Sequence, residues 1–261
     1  MKYNWPDIAV WRGMREMPWN RPFMMKVYLY IVDGLLIDTG PSTLARESSD
    51  FFNSHPIQQV ALTHIHEDHA GMAAYLQEKI KVPFYLHDES IAEALVEPQL
   101  SAYRLNFWGR RPAFKAQPMP DVIKCSRYSF QVIDTPGHHP HHKAFLESEQ
   151  GWLFSGDLLV TIKPRSVFSG ENMSAMISSL EKLDKMDFDT VFCSHTGPRN
   201  NGRQVLKEKL DYLLGLKDKV QSLRKQGWHD EEIDRYLFPE SSPLDNITEG
   251  DFSSLNIVST L

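Results

Sequence analysis

The segment ALTHIHEDHAG, residues 61–71, places three histidines, a glutamate and an aspartate within positions 64–69, directly after an apolar run. Imidazole and carboxylate are the usual N and O ligands of zinc and iron-group divalent ions, and a site needs its ligands clustered. The competing reading is a polar loop of no consequence. A lone histidine at a strand-to-loop turn favours that reading, but an H-x-H-x-D-H cluster does not.

The chain has 261 residues, enough for one large domain, and a formal net charge of -6. That balance provides no basic face for duplex DNA or RNA, so no nucleic-acid partner is expected. Only two cysteines occur, Cys125 and Cys193, each beside strand-like residues. Neither a disulfide framework nor a cysteine zinc site is expected, which suits a reducing, cytoplasmic location. The N-terminus, broken by Pro6, Pro18 and several charges, has no continuous apolar stretch of the secretory kind. No run approaches the roughly 20 apolar residues of a membrane span, so no membrane association is expected.

Strands and helices alternate along the chain. KVYLYIVDGLLIDTG, residues 26–40, has two β-rich runs around Asp33-Gly34, a dipeptide that favours a tight hairpin. Residues 59–63 read as a short buried strand, after which Met72, Leu76 and Ile80 recur at helical spacing. Further strands are expected at 128–137, 151–157 and 189–195, and helices at about 174–186, 203–226 and 230–237. Four candidate ligands then follow the ends of four apolar strands: His64 after VALT, His138 after QVIDTPG, Asp157 after WLFSG and His195 after TVFCS. Strand ends of mixed or parallel sheets converge on one rim, where α/β proteins usually place chemistry.

THIHEDHAG, TPGHHPHH, FSGDLL and CSHTGP resemble, in order, the metal-binding motifs of the metallo-β-lactamase fold superfamily, and LLIDTG resembles its early strand signature. The similarity covers about residues 26–200. It implies an α/β fold, an αββα sandwich of two mixed sheets flanked by helices, with a C-terminal helical extension. One domain is expected over 1–261, its motif-bearing core at about 26–200 and the extension at about 203–261. The resemblance further implies that His64, His66 and His138 bind one divalent ion, that Asp68, His69 and His195 bind a second, and that Asp157 bridges them. Asp68 and Asp157 would thus be the catalytic carboxylates.

The spacing agrees with that assignment. Positions i and i+2 of extended backbone face one side, so His64 and His66 can grip one ion while Asp68 and His69 address a neighbour. Two divalent ions carry four positive charges; two carboxylates and a bridging hydroxide remove three, and the remainder favours an anionic substrate or oxyanion. Metal coordination lowers the pKa of water from 15.7 to about 7, which makes hydrolysis the natural reaction class. Zinc is the first expectation, with iron or manganese as alternatives.

Supporting roles are expected for Asp38, as the partner of a ligand histidine's free ring nitrogen, and for His142, which matches a non-ligating histidine of the thioesterase-like pattern. His139 and His141 stand where small residues are usual, and the preceding Pro-Gly turn selects His138 as the ligand. Glu67 reads either as a general base or as a carboxylate at a helix start, and is assigned no role.

Within the superfamily, the bridging Asp157 disfavours antibiotic hydrolysis, His66 replaces the glutamate of the flavin-linked diiron reductases, and Val160 replaces a tyrosine of the homoserine-lactone hydrolases. What remains resembles a glyoxalase II-like ester, thioester or lactone hydrolase acting through a metal-bridging hydroxide on a small, anionic substrate. The alternative is a mononuclear iron oxidoreductase of the persulfide dioxygenase type. In segment 88–117, Arg104, Arg110 and Arg111 are candidate substrate-binding residues among Tyr103, Phe107, Trp108 and Phe114. Oligomeric state is left open.

Overall fold

The computed structural model describes residues 5–17, 23–240, 244–245, 248 and 250–261. Two six-stranded mixed sheets face each other. The first runs in the order β1 (Ile8–Met17), β2 (Phe23–Val32), β3 (Leu35–Ile37), β4 (Gln59–Ala61), β5 (Phe84–Leu86) and β6 (Gln117–Pro118). The second has β7 (Val122–Lys124) and β8 (Ser129–Asp134) at one side, then β9 (Lys143–Glu147), β10 (Trp152–Gly156), β12 (Thr190–Cys193) and β13 (Gly197–Arg199). A two-stranded ribbon joins β11 (Val167–Phe168) to β14 (Phe252–Ser253).

Strand periodicity builds the layers. Along β2, Val27, Leu29 and Ile31 pack outward with the helices α1 (Ala45–Ser54) and α3 (Ala73–Lys79). The alternate residues Tyr28, Tyr30 and Val32 point inward and meet Phe130, Phe145, Phe154 and Phe192 of the second sheet. Phe154 stacks on Phe192 with centroids 4.6 Å apart, and Tyr30 meets Phe154 edge-on at 5.5 Å. Truncating such a buried ring to alanine costs about 3–5 kcal/mol. Two short helices, α4 (Ile91–Ala94) and α5 (Ala102–Phe107), lie in the connection from β5 to β6. On the outer face of the second sheet, α6 (Met173–Asp184) buries Met176, Ile177, Leu180 and Leu183, and α7 (Gly202–Lys225) buries Leu206, Leu210 and Leu213. The result is an αββα sandwich, with α8 (Asp230–Leu237) and α9 (Leu255–Thr260) closing the C-terminal side.

The Asp33-Gly34 hairpin forms as expected: both residues have positive φ, 50° and 84°, the geometry of a type I′ turn. The three long C-terminal helices also begin and end within two residues of their expected positions.

Two local expectations need correction. The N-terminal segment, read only as lacking a leader, forms β1, a ten-residue edge strand paired with β2 from Ile8↔Val32 to Met17↔Phe23. The helix after the histidines is broken into α2 (Glu67–Ala70) and α3 because the intervening backbone serves the β3 loop instead. His69 O accepts from both Thr39 N at 2.7 Å and Thr39 Oγ1 at 2.8 Å, and Met72 N donates to Gly40 O at 3.1 Å. Among the described residues no helix is long and apolar enough to cross a membrane, and both cysteines are free thiols.

Candidate metal centre

Five strands of the two sheets end at one edge of the sandwich. β3 delivers Asp38, β4 delivers His64, His66 and the one-turn α2, β8 leads to His138, β10 to Asp157 and β12 to His195. Asp38, His64, Asp68, His69, Asp157 and His195 are buried, and His66 and His138 partly so.

Two sets of donor atoms gather there. His64, His66 and His138 form one, with His64 Nε2 3.0 Å from His66 Nδ1 and His66 Nδ1 3.1 Å from His138 Nε2. Asp68, His69, Asp157 and His195 form the other. Within each set the donor atoms lie within 4.8 Å of one another. Asp157 spans the two: Oδ1 is 3.2 Å from His69 Nε2, while Oδ2 is 3.1 Å from His195 Nε2 and 3.5 Å from His138 Nε2.

The fit to cations can be tested on atoms left over. His69 Nε2, His195 Nε2 and Asp157 Oδ1 are buried, yet none makes a hydrogen bond. Their separations are short, but their alignment is not that of donor and acceptor. Orphaned polar atoms are costly in a buried site, and a shared cation is the group that N and O donors of this kind satisfy together.

The remaining ring nitrogens are anchored. His69 Nδ1 meets Asp38 Oδ2 at 2.7 Å, His195 Nδ1 donates to Lys26 O at 2.7 Å, and His138 Nδ1 lies 3.4 Å from Glu171 Oε2. Such contacts fix tautomer and orientation, leaving the other nitrogen for metal. Asp38 and His142 thus stand where supporting residues would. His142 is fully buried; its Nδ1 is 2.8 Å from Thr135 Oγ1, and its Nε2 accepts the Asp157 backbone N–H at 3.2 Å. Gly156 has φ +48° and passes so close that a Cβ there would lie 2.5 Å from His142 Nε2. Only glycine lets the strand turn toward the site at that point.

Charge is divided between the sets. Burial, reinforced by the neighbouring imidazoles, holds His64 and His66 well below the usual histidine range, so both rings are neutral at neutral pH. Burial opposes protonation of His69 and His195 too, but Asp157 outweighs it, with Asp38 and Asp68 assisting at His69 and Asp68 at His195, and both rise well above that range. Burial likewise opposes ionisation of Asp157, and the surrounding imidazoles, His195 first, overcome it and hold the carboxyl well below its usual range. A cation entering here meets neutral imidazoles on one side and, on the other, ionised carboxylates whose imidazole neighbours His69 and His195 must give up protons to bind it.

A cavity of about 460 Å³ opens above the centre. Of the three arginines, only Arg104 reaches its wall, and that guanidinium already holds Glu67 in a bidentate pair at 2.7 and 2.5 Å while lying 5.1 Å from the Phe168 ring centre. Arg110 is exposed and paired with Glu97, and Arg111 is buried beneath the segment, donating to the carbonyls of Glu93 and Val96. Neither lines the cavity, so neither is carried forward as a substrate residue. Glu67, Glu171 and Lys209 also line it, although sequence reasoning gave them no role.

The model of the metallo-β-lactamase superfamily matches residues 27–195. A hydroxyacylglutathione hydrolase of Bdellovibrio bacteriovorus is 26% identical over 155 residues, covering 58% of this chain and 55% of the relative. That of Hahella chejuensis is 27% identical over 180 residues, covering 67% and 63%. The chain therefore spans somewhat over half the length of these curated relatives. A metallo-β-lactamase family protein of Thermus thermophilus superposes with TM-score 0.68 at 20% identity, covering 98% of this chain and 91% of that one, a likeness of fold. A protein solved in a di-iron-bound form is 28% identical with TM-score 0.54, covering 69% and 91%. The family match takes in every donor of both sets, from His64 to His195, within one αββα frame, and the chain belongs to the metallo-β-lactamase superfamily.

Proposed function

We propose that the protein is a dinuclear metal-dependent hydrolase of an ester, thioester or lactone of a small molecule. The observation that carries this reading is the position of Asp157 between two donor sets, with one oxygen beside His69 and the other beside His195 and His138. His64, His66 and His138 would hold one ion and Asp68, His69 and His195 the other, with Asp157 common to both. Bound there, divalent ions such as zinc, iron or manganese would supply an activated water at neutral pH and polarise the carbonyl under attack.

The chain's own residues do the rest. Asp38, Lys26 O and Glu171 hold three imidazoles in orientation, and His142 fixes the backbone at Asp157. The cavity wall is largely hydrocarbon, and the Trp108 and Phe168 rings lie 5.9 Å from His195 and 5.6 Å from His66, which suits an acyl group. Curated relatives carry the name hydroxyacylglutathione hydrolase, in line with thioester chemistry.

The test is a set of initial rates on aryl and alkyl esters, thioesters, lactones and phosphodiesters with metal-replete and chelator-treated protein. Turnover of at least one acyl class that is lost on chelation and restored by metal is the expected result. Failure of every acyl substrate, or turnover indifferent to chelation, contradicts the reading.

A further inference from the structure

Lys209 of α7 lines the cavity yet is only 4% exposed. Its Nζ donates to Leu158 O at 2.6 Å, one residue beyond Asp157. An ammonium group has three N–H donors, so two are left over. Burial pushes its pKa down, opposed through space by Glu171, Cys193 and Asp157, and among the described residues no carboxylate forms an ion pair with it.

The other cations of the wall differ. Arg104 is neutralised by Glu67, and Lys26 is exposed to water. A buried ammonium without a counter-ion is costly, and an anion brought by a ligand would offset that cost. Val160, Val167 and Met173 line the same cavity and supply hydrocarbon, not charge. A single point charge on a hydrocarbon wall matches one carboxylate on an alkyl or aryl chain, whereas a phosphate is better met by an arginine fork or several donors.

We infer that Lys209 is the anion-recognition residue of this cavity and that the substrate is a carboxylate-bearing ester or thioester whose hydrocarbon part packs on Val160, Val167 and Met173. The inference rests on the cavity being the substrate site, as proposed above. Lys209 acts by binding and orientation: the substrate's carboxylate takes the free N–H donors, while the scissile carbonyl faces Asp157 and the imidazoles.

Calorimetric titration of metal-replete protein with phenylacetate, 4-phenylbutyrate and 8-phenyloctanoate, each against its uncharged carboxamide, tests this without turnover. At least one carboxylate should bind about 10- to 100-fold more tightly than its amide, the range expected of a charge-assisted contact. Lys209→Met should equalise the two. Lys209→Gln, which keeps a donor for Leu158 O but removes the charge, should equalise them as well, with a thermal midpoint close to that of the wild type. A wild type without carboxylate preference overturns the inference. So does a preference that survives in Lys209→Gln, since the carboxylate would then be bound by the metal centre. A Lys209-dependent preference in a protein that hydrolyses no acyl substrate would uphold the anion site and overturn the hydrolase reading, so the two failures are distinguishable.

Discussion

Asp38 Oδ2 lies 2.7 Å from His69 Nδ1, and Asp38 Oδ1 accepts the Thr63 backbone N–H at 2.8 Å, so one carboxylate ties the end of β3 both to β4 and to a candidate ligand. A carboxylate acceptor there holds a proton on His69 Nδ1 and leaves Nε2 turned toward Asp157. Asp38 sits in the left-handed region, φ +58°, where aspartate and asparagine are tolerated better than most residues.

Asp38→Asn therefore keeps the backbone and removes the charge. It should weaken metal at the His69 set about 10- to 100-fold, the usual cost of losing such a partner, and leave the His64 set occupied. Competition with a chromophoric chelator measures both affinities. Equal loss at the two sets, or none, would count against a role confined to His69.

Gly137 has φ +149°, and a Cβ there would lie 2.6 Å from Met176 Cα and 2.8 Å from its Cβ. These are atoms of the rigid helix α6, so the His138 loop must give way. Gly137→Ala should cost about 1–3 kcal/mol by overpacking and loosen the ion held by His64, His66 and His138. Thermal denaturation with metal analysis reads both; an unchanged midpoint and unchanged metal content would show that the loop has room to spare.

Acid sensitivity of the metal-free protein follows from imidazoles kept neutral. Burial, then the neighbouring His138, pushes His139 down to about 3 from an unfolded value near 6.5, and His64, His66 and His142 are depressed too. The unfolded chain takes up protons that the folded chain refuses, so their stability is fully present above about pH 6.5 and is lost as pH falls from there toward 3. His69 and His195 are raised instead, and are protonated in both states over this window. His139→Asn should make the slope shallower by at most about 1.4 kcal/mol per pH unit, less for solvent screening of a half-buried group. Urea denaturation at a series of pH values measures it, and an unchanged slope would mean that His139 is not held neutral.

Arg104→Met would leave Glu67 buried beside Asp68 without its partner, and breaking a buried ion pair in this way costs about 3–5 kcal/mol. Adding Glu67→Gln should recover part of that loss. A double mutant no more stable than Arg104→Met would show that the pair is not coupled.

The donor positions were legible because the chemistry demands rare residue types at strand ends, and the strands themselves are short, apolar and bounded by glycine turns. Less legible were the features that depend on partners distant in sequence. β1 carries Arg12, Arg15 and Glu16, as an edge strand tolerates, and so lacks a clean apolar pattern. Arg104, Arg110 and Arg111 look equivalent along the chain, yet one lines a cavity, one faces solvent and one is buried; the fold alone separates them. Lys209 lies within KEKLDYLLGLKDK, which reads as a solvated charged helix. Its signal was its register: three positions after Leu206 and four before Leu213, it falls on the buried stripe of α7.

Metal stoichiometry of wild type and Asp157→Asn, measured by atomic emission alongside hydrolysis and oxygen uptake, decides whether Asp157 joins two metal sites. The substitution conserves volume and removes one charge and one good ligand oxygen. About two ions per metal-replete wild-type chain and no oxygen uptake are expected. The mutant should lose the second ion and have hydrolysis reduced by orders of magnitude, with the fold intact. A wild type that holds a single iron and consumes oxygen, or a mutant that keeps two ions and full activity, would contradict a dinuclear centre joined by Asp157.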